Sequence, residues 1–317
     1  MNARLPSWRP GPTRDAILAF LDEIDAVPVD ERVAYLDNDG TMWCEKPTYV
    51  QLDFFVDALR QRVDKDASLA DRPEFAAVLS GDMAAVGEIG LAKVAGALTA
   101  LFDGQTPEQF GDAVDDFLGR YRHRTLGTTV AGIIYQPMLE LLEELRAHDF
   151  TIGIVTGGGT EFVRQLSTRC YGVQPGMVVG TLIGYAFGRD SDGKPVVRRT
   201  LSHMGDANEG GAKVEHIQAQ IGRPPILGAG NSGGDREMLE WAQANRHGGL
   251  AILIDHDDSE REFAYESAAV TFEEDESIAT VGQRLGWVVV SVHDDWDTVF
   301  PPDDAHTHPV DGAASGR

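Results

Sequence analysis

Three short apolar runs in this chain each stop on a polar, glycine-containing turn, and that recurrence narrows the possible folds more than any other feature. Val33-Ala-Tyr-Leu36 stops at Asp37-Asn38-Asp39-Gly40-Thr41, and Phe150-Thr-Ile-Gly-Ile-Val155 at Thr156-Gly157-Gly158-Gly159. Ile226-Leu-Gly228 leads into Gly230-Asn231-Ser232-Gly233-Gly234-Asp235. Short apolar runs bounded by turn residues read as buried strands. Leu250–Ile254 and Trp287–Val292 have the same texture, and shorter strands are expected near 177–187 and 195–199. Helical spacing fills the gaps, at Met138–Ala147, Glu161–Cys170, Lys213–Ile221 and Asp235–Ala244, and an earlier helix runs from an N-cap at Thr13 to Ala26. Strand and helix in alternation imply an α/β, Rossmann-like parallel sheet with helices on both faces.

Residues 48–125 interrupt this pattern. Leu52, Phe55, Val56 and Leu59, then Phe75, Val78 and Leu79, then Leu91 to Phe102, then Phe110, Val114, Phe117 and Leu118 recur at helical spacing, with Gly81, Gly104 and Pro107 between them. The expected organisation is a discontinuous core of residues 1–44 and 130–300, an inserted all-helical cap of about four helices at 45–129, and a disordered tail at 301–317. The cap is expected to open and close over the crevice. His306 and His308 in the tail have no preorganised shell for a metal, and the acidic run 255–278 reads as solvated surface.

Composition limits the partners. With 51 acidic and 27 basic residues among 317, the formal charge is −24. Nucleic acid and anionic membranes need basic patches and are excluded as main partners. Cys44 and Cys170 form no zinc-ligand or C-x-x-C pattern and read as reduced thiols. No apolar leader precedes the first helix and no stretch approaches a membrane span, so the expectation is a soluble, cytoplasmic protein. Oligomeric state is not addressed by the sequence.

In an open parallel sheet the C-terminal strand ends converge on one crevice. That places Asp37, Asp39 and Thr41, then Thr156, Gly157 and Gly158, then Lys213 at a helix start, then Asn231, Ser232 and Asp235 around a common point. Two carboxylates two residues apart on extended backbone face one pocket and call for a cation. Oxygen ligands from Asp37, Asp39 and either Asn231 or Asp235 suit Mg²⁺ and offer nothing soft for zinc or copper. Mg²⁺ commonly shares its shell with a phosphate oxygen, and the Thr156 hydroxyl with the following amides at a helix start makes a cradle for one. At an effective dielectric near 20, unit charges 4 Å apart interact by about 4 kcal/mol. A phosphate dianion beside three carboxylates therefore needs both the metal and Lys213.

These four motifs, in this order, resemble those of the haloacid dehalogenase superfamily, and the helical insertion after the first makes the chain most similar to its phosphoserine-phosphatase-like phosphatases. The resemblance covers residues 30–255. It implies a phosphomonoesterase acting on a small phosphorylated metabolite. Asp37 would be the nucleophile, Asp39 the acid and then the base, Thr156 and Gly157 the phosphoryl holders, and Lys213 the charge partner of Asp37. Mg²⁺ would sit on Asp37, the Asp39 carbonyl and the fourth motif. There the chain carries Asn231 where the phosphoserine enzymes have an aspartate, with Asp235 matching the second one, so both are candidates and Asp235 is ranked first.

In those enzymes an acidic residue after the first motif and a cap arginine recognise the amino acid. Glu45 and Lys46 stand near the acidic position, Arg60, Arg62, Arg120, Arg122 and Arg124 are possible arginines, and Trp43 and Tyr49 flank the entrance. None of these fixes the substrate. Halogen hydrolysis is disfavoured because it needs neither a metal nor an acid at Asp39. A phosphotransferase shares every motif, and an inactive phosphate-binding protein would not need all five of Asp37, Asp39, Thr156, Lys213 and Asp235.

Overall fold

The computed structural model describes residues 4–302. The molecule is built on a seven-stranded sheet in the order β4-β3-β2-β1-β5-β6-β7, parallel throughout except for the β3–β4 pair. An N-terminal helix, α1 (Pro12–Glu23), precedes β1 (Val33–Asp37). All five residues of β1 are buried, as a central strand covered on both faces must be. β1 pairs with β2 (Thr151–Gly159) on one side and, on the other, with a strand that comes much later in the chain. The Tyr35 ring crosses this sheet at Gly153, where a Cβ would lie 2.3 Å from the ring, so only glycine fits opposite the tyrosine.

Six α-helices lie between β1 and β2, the first five being α2 (Val50–Val63), α3 (Pro73–Ser80), α4 (Met83–Ile89), α5 (Leu91–Thr99) and α6 (Pro107–Arg120). Proline at N1 and a reciprocal Thr106–Gln109 capping box start α6. Then α7 (Gln136–Ala147) leads into β2, and α8 (Thr160–Tyr171) follows it. β3 (Val178–Arg189) and β4 (Pro195–Met204) form a long hairpin at the sheet edge. The chain returns through α9 (Gly211–Ile221), β5 (Leu227–Gly230), α10 (Arg236–Gln243), β6 (Leu250–Asp255), α11 (Ile278–Leu285), β7 (Val288–Ser291) and α12 (Val292–Asp295).

The inserted helices share a core with the sheet layer. Phe54 of α2 packs against Phe102, Phe110 and Phe117 of the insertion and also against Phe162 of α8, with ring centroids 5.1–5.6 Å apart. Backbone bonds between Gly104 or Gln105 and Arg199 of β4 add to this, as does the ion pair of Asp115 with Arg169.

The α/β class and the order of elements agree with the sequence reading, and the differences have local causes. The β3–β4 pair is antiparallel because a five-residue turn joins the two strands, too short for a crossover. The N-cap of the first helix lies two residues earlier, at Gly11, because Pro12 takes N1, so Thr13 is not its cap. The acidic run is not all solvated: His256, Asp258 and Glu262 are buried. The expected disorder from 301 onward and the tail histidines concern a segment of which 303–317 lies outside the described residues. Among the described residues no single helix is long and apolar enough to cross a membrane. Both cysteines are free.

Candidate active site

β1 lies where successive connections leave in opposite directions, and open α/β sheets bind ligands at such a point. The register sets its geometry. Asp37 pairs with Val155 and Leu36 with Ala229, so the residues after these points in the three strands lie level and meet, although β2 itself runs on through Thr156 to Gly159 where the sequence suggested a turn.

At the centre, the Lys213 Nζ lies 2.6 Å from Asp37 Oδ1 and 2.5 Å from Asp235 Oδ1. The three side chains are 3%, 5% and 0% exposed respectively. Burial opposes charge on Lys213, yet Asp235 and Asp37 together outweigh it and hold the ammonium above its ordinary range. Burial and the neighbouring Asp235 push Asp37 up, with Lys213 pulling the other way. The second oxygen of Asp235 accepts from the Asn231 amide at 3.1 Å, the Ser232 amide at 3.0 Å and the Ser232 hydroxyl at 3.1 Å. Asp235 thus ties its own loop to Lys213. Asp37 Oδ2, by contrast, has no hydrogen-bond donor among the described residues.

Asp39 sits on the turn after β1. Its Oδ1 accepts from the Trp43 indole at 2.8 Å, and its Oδ2 faces the Asn38 amide at 3.2 Å and the Thr156 hydroxyl at 3.4 Å. Burial raises the Asp39 carboxyl above its usual range, and those three donors oppose the rise. Gly40 follows with φ of +78°, where a Cβ would lie 2.0 Å from the Asn231 amide nitrogen. Backbone conformation and the close approach of the fourth motif both require glycine here. The Tyr171 hydroxyl fixes Asn38 from α8 at 2.9 Å.

Thr156 is fully buried, and its hydroxyl accepts from the Gly158 amide at 3.0 Å. The Gly159 amide donates at 2.9 Å to Gln51, in the first turn of α2. Asn208 holds the Thr156 carbonyl at 2.8 Å and is itself held by His216. The structure therefore brings Asp37, Asp39, Thr156, Lys213, Asn231 and Asp235 together, with Gly157 and Gly158 directly after Thr156. Gln51 and Asn208 were not named by sequence, and Trp43 was placed only at the entrance. Trp43 is wholly buried, as core packing predicts, but its indole also holds Asp39.

Among the described residues no three His, Cys, Asp or Glu side chains converge as a metal cluster. What the site offers is the unpartnered Asp37 oxygen and the Asn231 amide, whose oxygen faces Thr41 at 3.4 Å while its nitrogen faces Ser267 at 3.2 Å. This hard, all-oxygen set with few protein ligands fits Mg²⁺, which keeps several waters. A cavity of about 260 Å³ borders Asn231, lined also by Leu253, Asp255, Tyr265 and Ser267.

At the entrance, Glu45 is buried and pairs with Lys46 at 3.4 Å. Burial pushes its carboxyl up, with Lys46 opposing and Asp39 adding to the rise. The Lys46 ammonium lies 4.3 Å from the Tyr265 ring centroid and 5.9 Å from that of Tyr49. Several cap arginines are engaged elsewhere: Arg120 pairs with Asp57, Arg124 with Asp53, and Arg62 lies over Phe102.

Comparison with known proteins agrees with this architecture. The chain matches a solved protein of unknown function from Bordetella pertussis Tohama I at 17% identity and a TM-score of 0.52, over 82% of this chain and 98% of that one. A probable phosphoserine phosphatase from Vibrio cholerae matches at 14% identity and a TM-score of 0.43, over 87% and 73% of the two chains. Among curated proteins there is no match. The family model for haloacid dehalogenase-like hydrolases matches residues 34–240, well over half of the chain and spanning the strand ends just described. The chain therefore belongs to the haloacid dehalogenase-like hydrolase family.

Proposed function

We propose that the protein is a Mg²⁺-dependent phosphomonoesterase that hydrolyses a small phosphorylated metabolite through an aspartyl-phosphate on Asp37. The observation that carries this reading is the state of Asp37: one oxygen is held by Lys213 and the other has no donor among the described residues, on a buried strand end close to Asp39 and Thr156.

Asp37 Oδ2 attacks phosphorus in line, and the bond from phosphorus to the leaving oxygen breaks. That oxygen takes its proton from Asp39, whose burial favours the protonated form. Water then attacks the aspartyl-phosphate and gives a proton to Asp39, which releases phosphate and restores both carboxyls. Thr156 and the amides after it hold phosphoryl oxygens, and Lys213 offsets charge on Asp37 and the phosphoryl group. Mg²⁺, when bound, would supply positive charge to offset the carboxylate and the phosphate. Asp37, the Asp39 carbonyl and Asn231 would hold it. The hydrogen bonds favour Asn231 over Asp235 as the ligand, the reverse of the sequence ranking, because both oxygens of Asp235 are already committed to Lys213 and its own loop. The inserted helices act as the cap, and Glu45 and Tyr49, which both feel the Asp39 charge, stand nearest the leaving-group side.

A phosphate-release screen over small phosphate esters tests this reading. Turnover is expected with millimolar Mg²⁺ and is lost when the ion is chelated, returning when it is restored. Absence of turnover on every ester with Mg²⁺ present removes the phosphatase reading.

A further inference from the structure

The segment after β6 carries a buried line of polar groups that the proposed chemistry does not use. His256 Nε2 lies 2.8 Å from the Gly40 carbonyl oxygen, and its Nδ1 lies 2.9 Å from Glu262 Oε2. The other oxygen of Glu262 accepts from the Tyr135 hydroxyl. His256 is 2% exposed and Glu262 6%. The Tyr265 ring stacks on the imidazole, with centroids 4.5 Å apart and planes 12° from parallel. A carbonyl can only accept, so Nε2 carries a hydrogen, and a further proton lies between Nδ1 and the Glu262 carboxyl.

Gly40 joins this line to the turn that carries the reacting groups. Its amide donates to the Trp43 carbonyl at 2.9 Å, and the Trp43 indole holds Asp39. Its Cα faces the Asn231 amide so closely that no side chain fits. The imidazole holds the carbonyl, the remaining polar group of that residue.

We propose that His256, oriented by Glu262, is a positioning residue for Asp39: by pinning the Gly40 carbonyl it fixes the turn that aims the Asp39 carboxyl. This rests on the reading of Asp39 as proton donor to the leaving group. Burial opposes charge on His256, but Glu262 outweighs it and raises the imidazole above its ordinary range, which strengthens the bond to Gly40.

Leaving-group dependence separates positioning from mere stabilisation. An aryl phosphate such as p-nitrophenyl phosphate departs without a proton, whereas an alkyl phosphate needs one. The value of kcat/KM reports events up to loss of the leaving group, so the later role of Asp39 as base does not enter it. His256→Ala is expected to lose about tenfold more kcat/KM on an alkyl than on an aryl phosphate, a fraction of the general-acid contribution. Asp39→Asn should show the same selectivity more strongly. His256→Gln keeps an N–H at the Nε2 position and should recover part of the loss, and it carries the comparison if the alanine variant does not fold. Equal loss on both esters, or no loss on either, overturns the proposal.

If the wild-type protein hydrolyses neither ester, hydrogen exchange decides the clamp separately, while the phosphatase reading stands or falls on the wider ester screen. Faster exchange of the Gly40 and Trp43 amides in the His256 variants, with the sheet still protected, supports it, and unchanged exchange overturns it.

Discussion

Asp37→Asn is expected to abolish phosphate release, lowering kcat by at least about 10³-fold as loss of a nucleophile does, and to leave the fold as stable as before. The first half follows from chemistry, since a carboxamide oxygen does not displace an alkoxide from phosphorus. The second half follows from the charges. Burial and Asp235 both work against an ionised Asp37, and Lys213 makes a second short bond to Asp235. Removing the Asp37 charge while keeping its shape leaves one buried cation facing one buried anion, a neutral pair. Phosphate release at saturating Mg²⁺ and a thermal melt in chelator, run on the same preparation, measure the two halves. Turnover near the wild-type rate would take Asp37 out of the mechanism.

Lys213→Met is expected to give the opposite pattern, a large loss of stability together with loss of activity. Methionine fills most of the lysine stem but leaves Asp37 and Asp235 facing each other in a site that is almost wholly buried. Removing one partner of a buried ion pair costs about 3–5 kcal/mol. The pH dependence has a definite sign. Lys213 is the partner that lowers Asp37, so in its absence the folded-state Asp37 rises further above the unfolded value of about 3.9. Between those two values the folded state binds more protons than the unfolded one, so stability falls as pH rises. The deficit is therefore greatest at neutral pH and shrinks toward about pH 4. Denaturant titrations in chelator at several pH values test this, and adding Asp235→Asn should recover part of the loss. A variant as stable as wild type at neutral pH would show that Lys213 is not what neutralises the pair.

The sheet and its strand ends were legible because the relevant signals are contiguous in the chain. A buried parallel strand has to be an apolar run, and Asp37, Thr156 and Asn231 lie just past such runs at positions that register brings level. Lys213 was readable only as the residue opening a helix, yet α9 carries it to two carboxylates far away in sequence. What remained hidden depends on side chains that meet across elements. Gln51 reaches the Gly159 amide from α2, and no spacing in the sequence marks it. His256 and Glu262 stand in an acidic segment, so composition assigned them to the surface, whereas six residues of loop turn both inward against Tyr135 and Gly40. The choice between Asn231 and Asp235 could not be made from residue type, because it depends on which oxygens are already occupied. Trp43 is four residues beyond Asp39, and only the glycine turn between them brings the indole back to the carboxylate.

The aromatic cluster around Phe54 bears on how this protein can be altered. Because Phe162 belongs to α8 and Phe54, Phe102, Phe110 and Phe117 to the insertion, the boundary between the two layers passes through packed rings rather than along a solvated seam. Fully burying each such ring contributes about 1.5–3 kcal/mol, so swinging the insertion away as a rigid flap would forfeit several kcal/mol. Ligand exchange is better served by small shifts of the Glu45–Tyr49 rim than by wholesale opening. The insertion is accordingly a poor cassette: a chimaera that swaps residues 48–125 for another helical module would inherit an orphaned Phe162 and an unpaired Arg199 edge, and would have to replace α8 and the β3–β4 hairpin along with it.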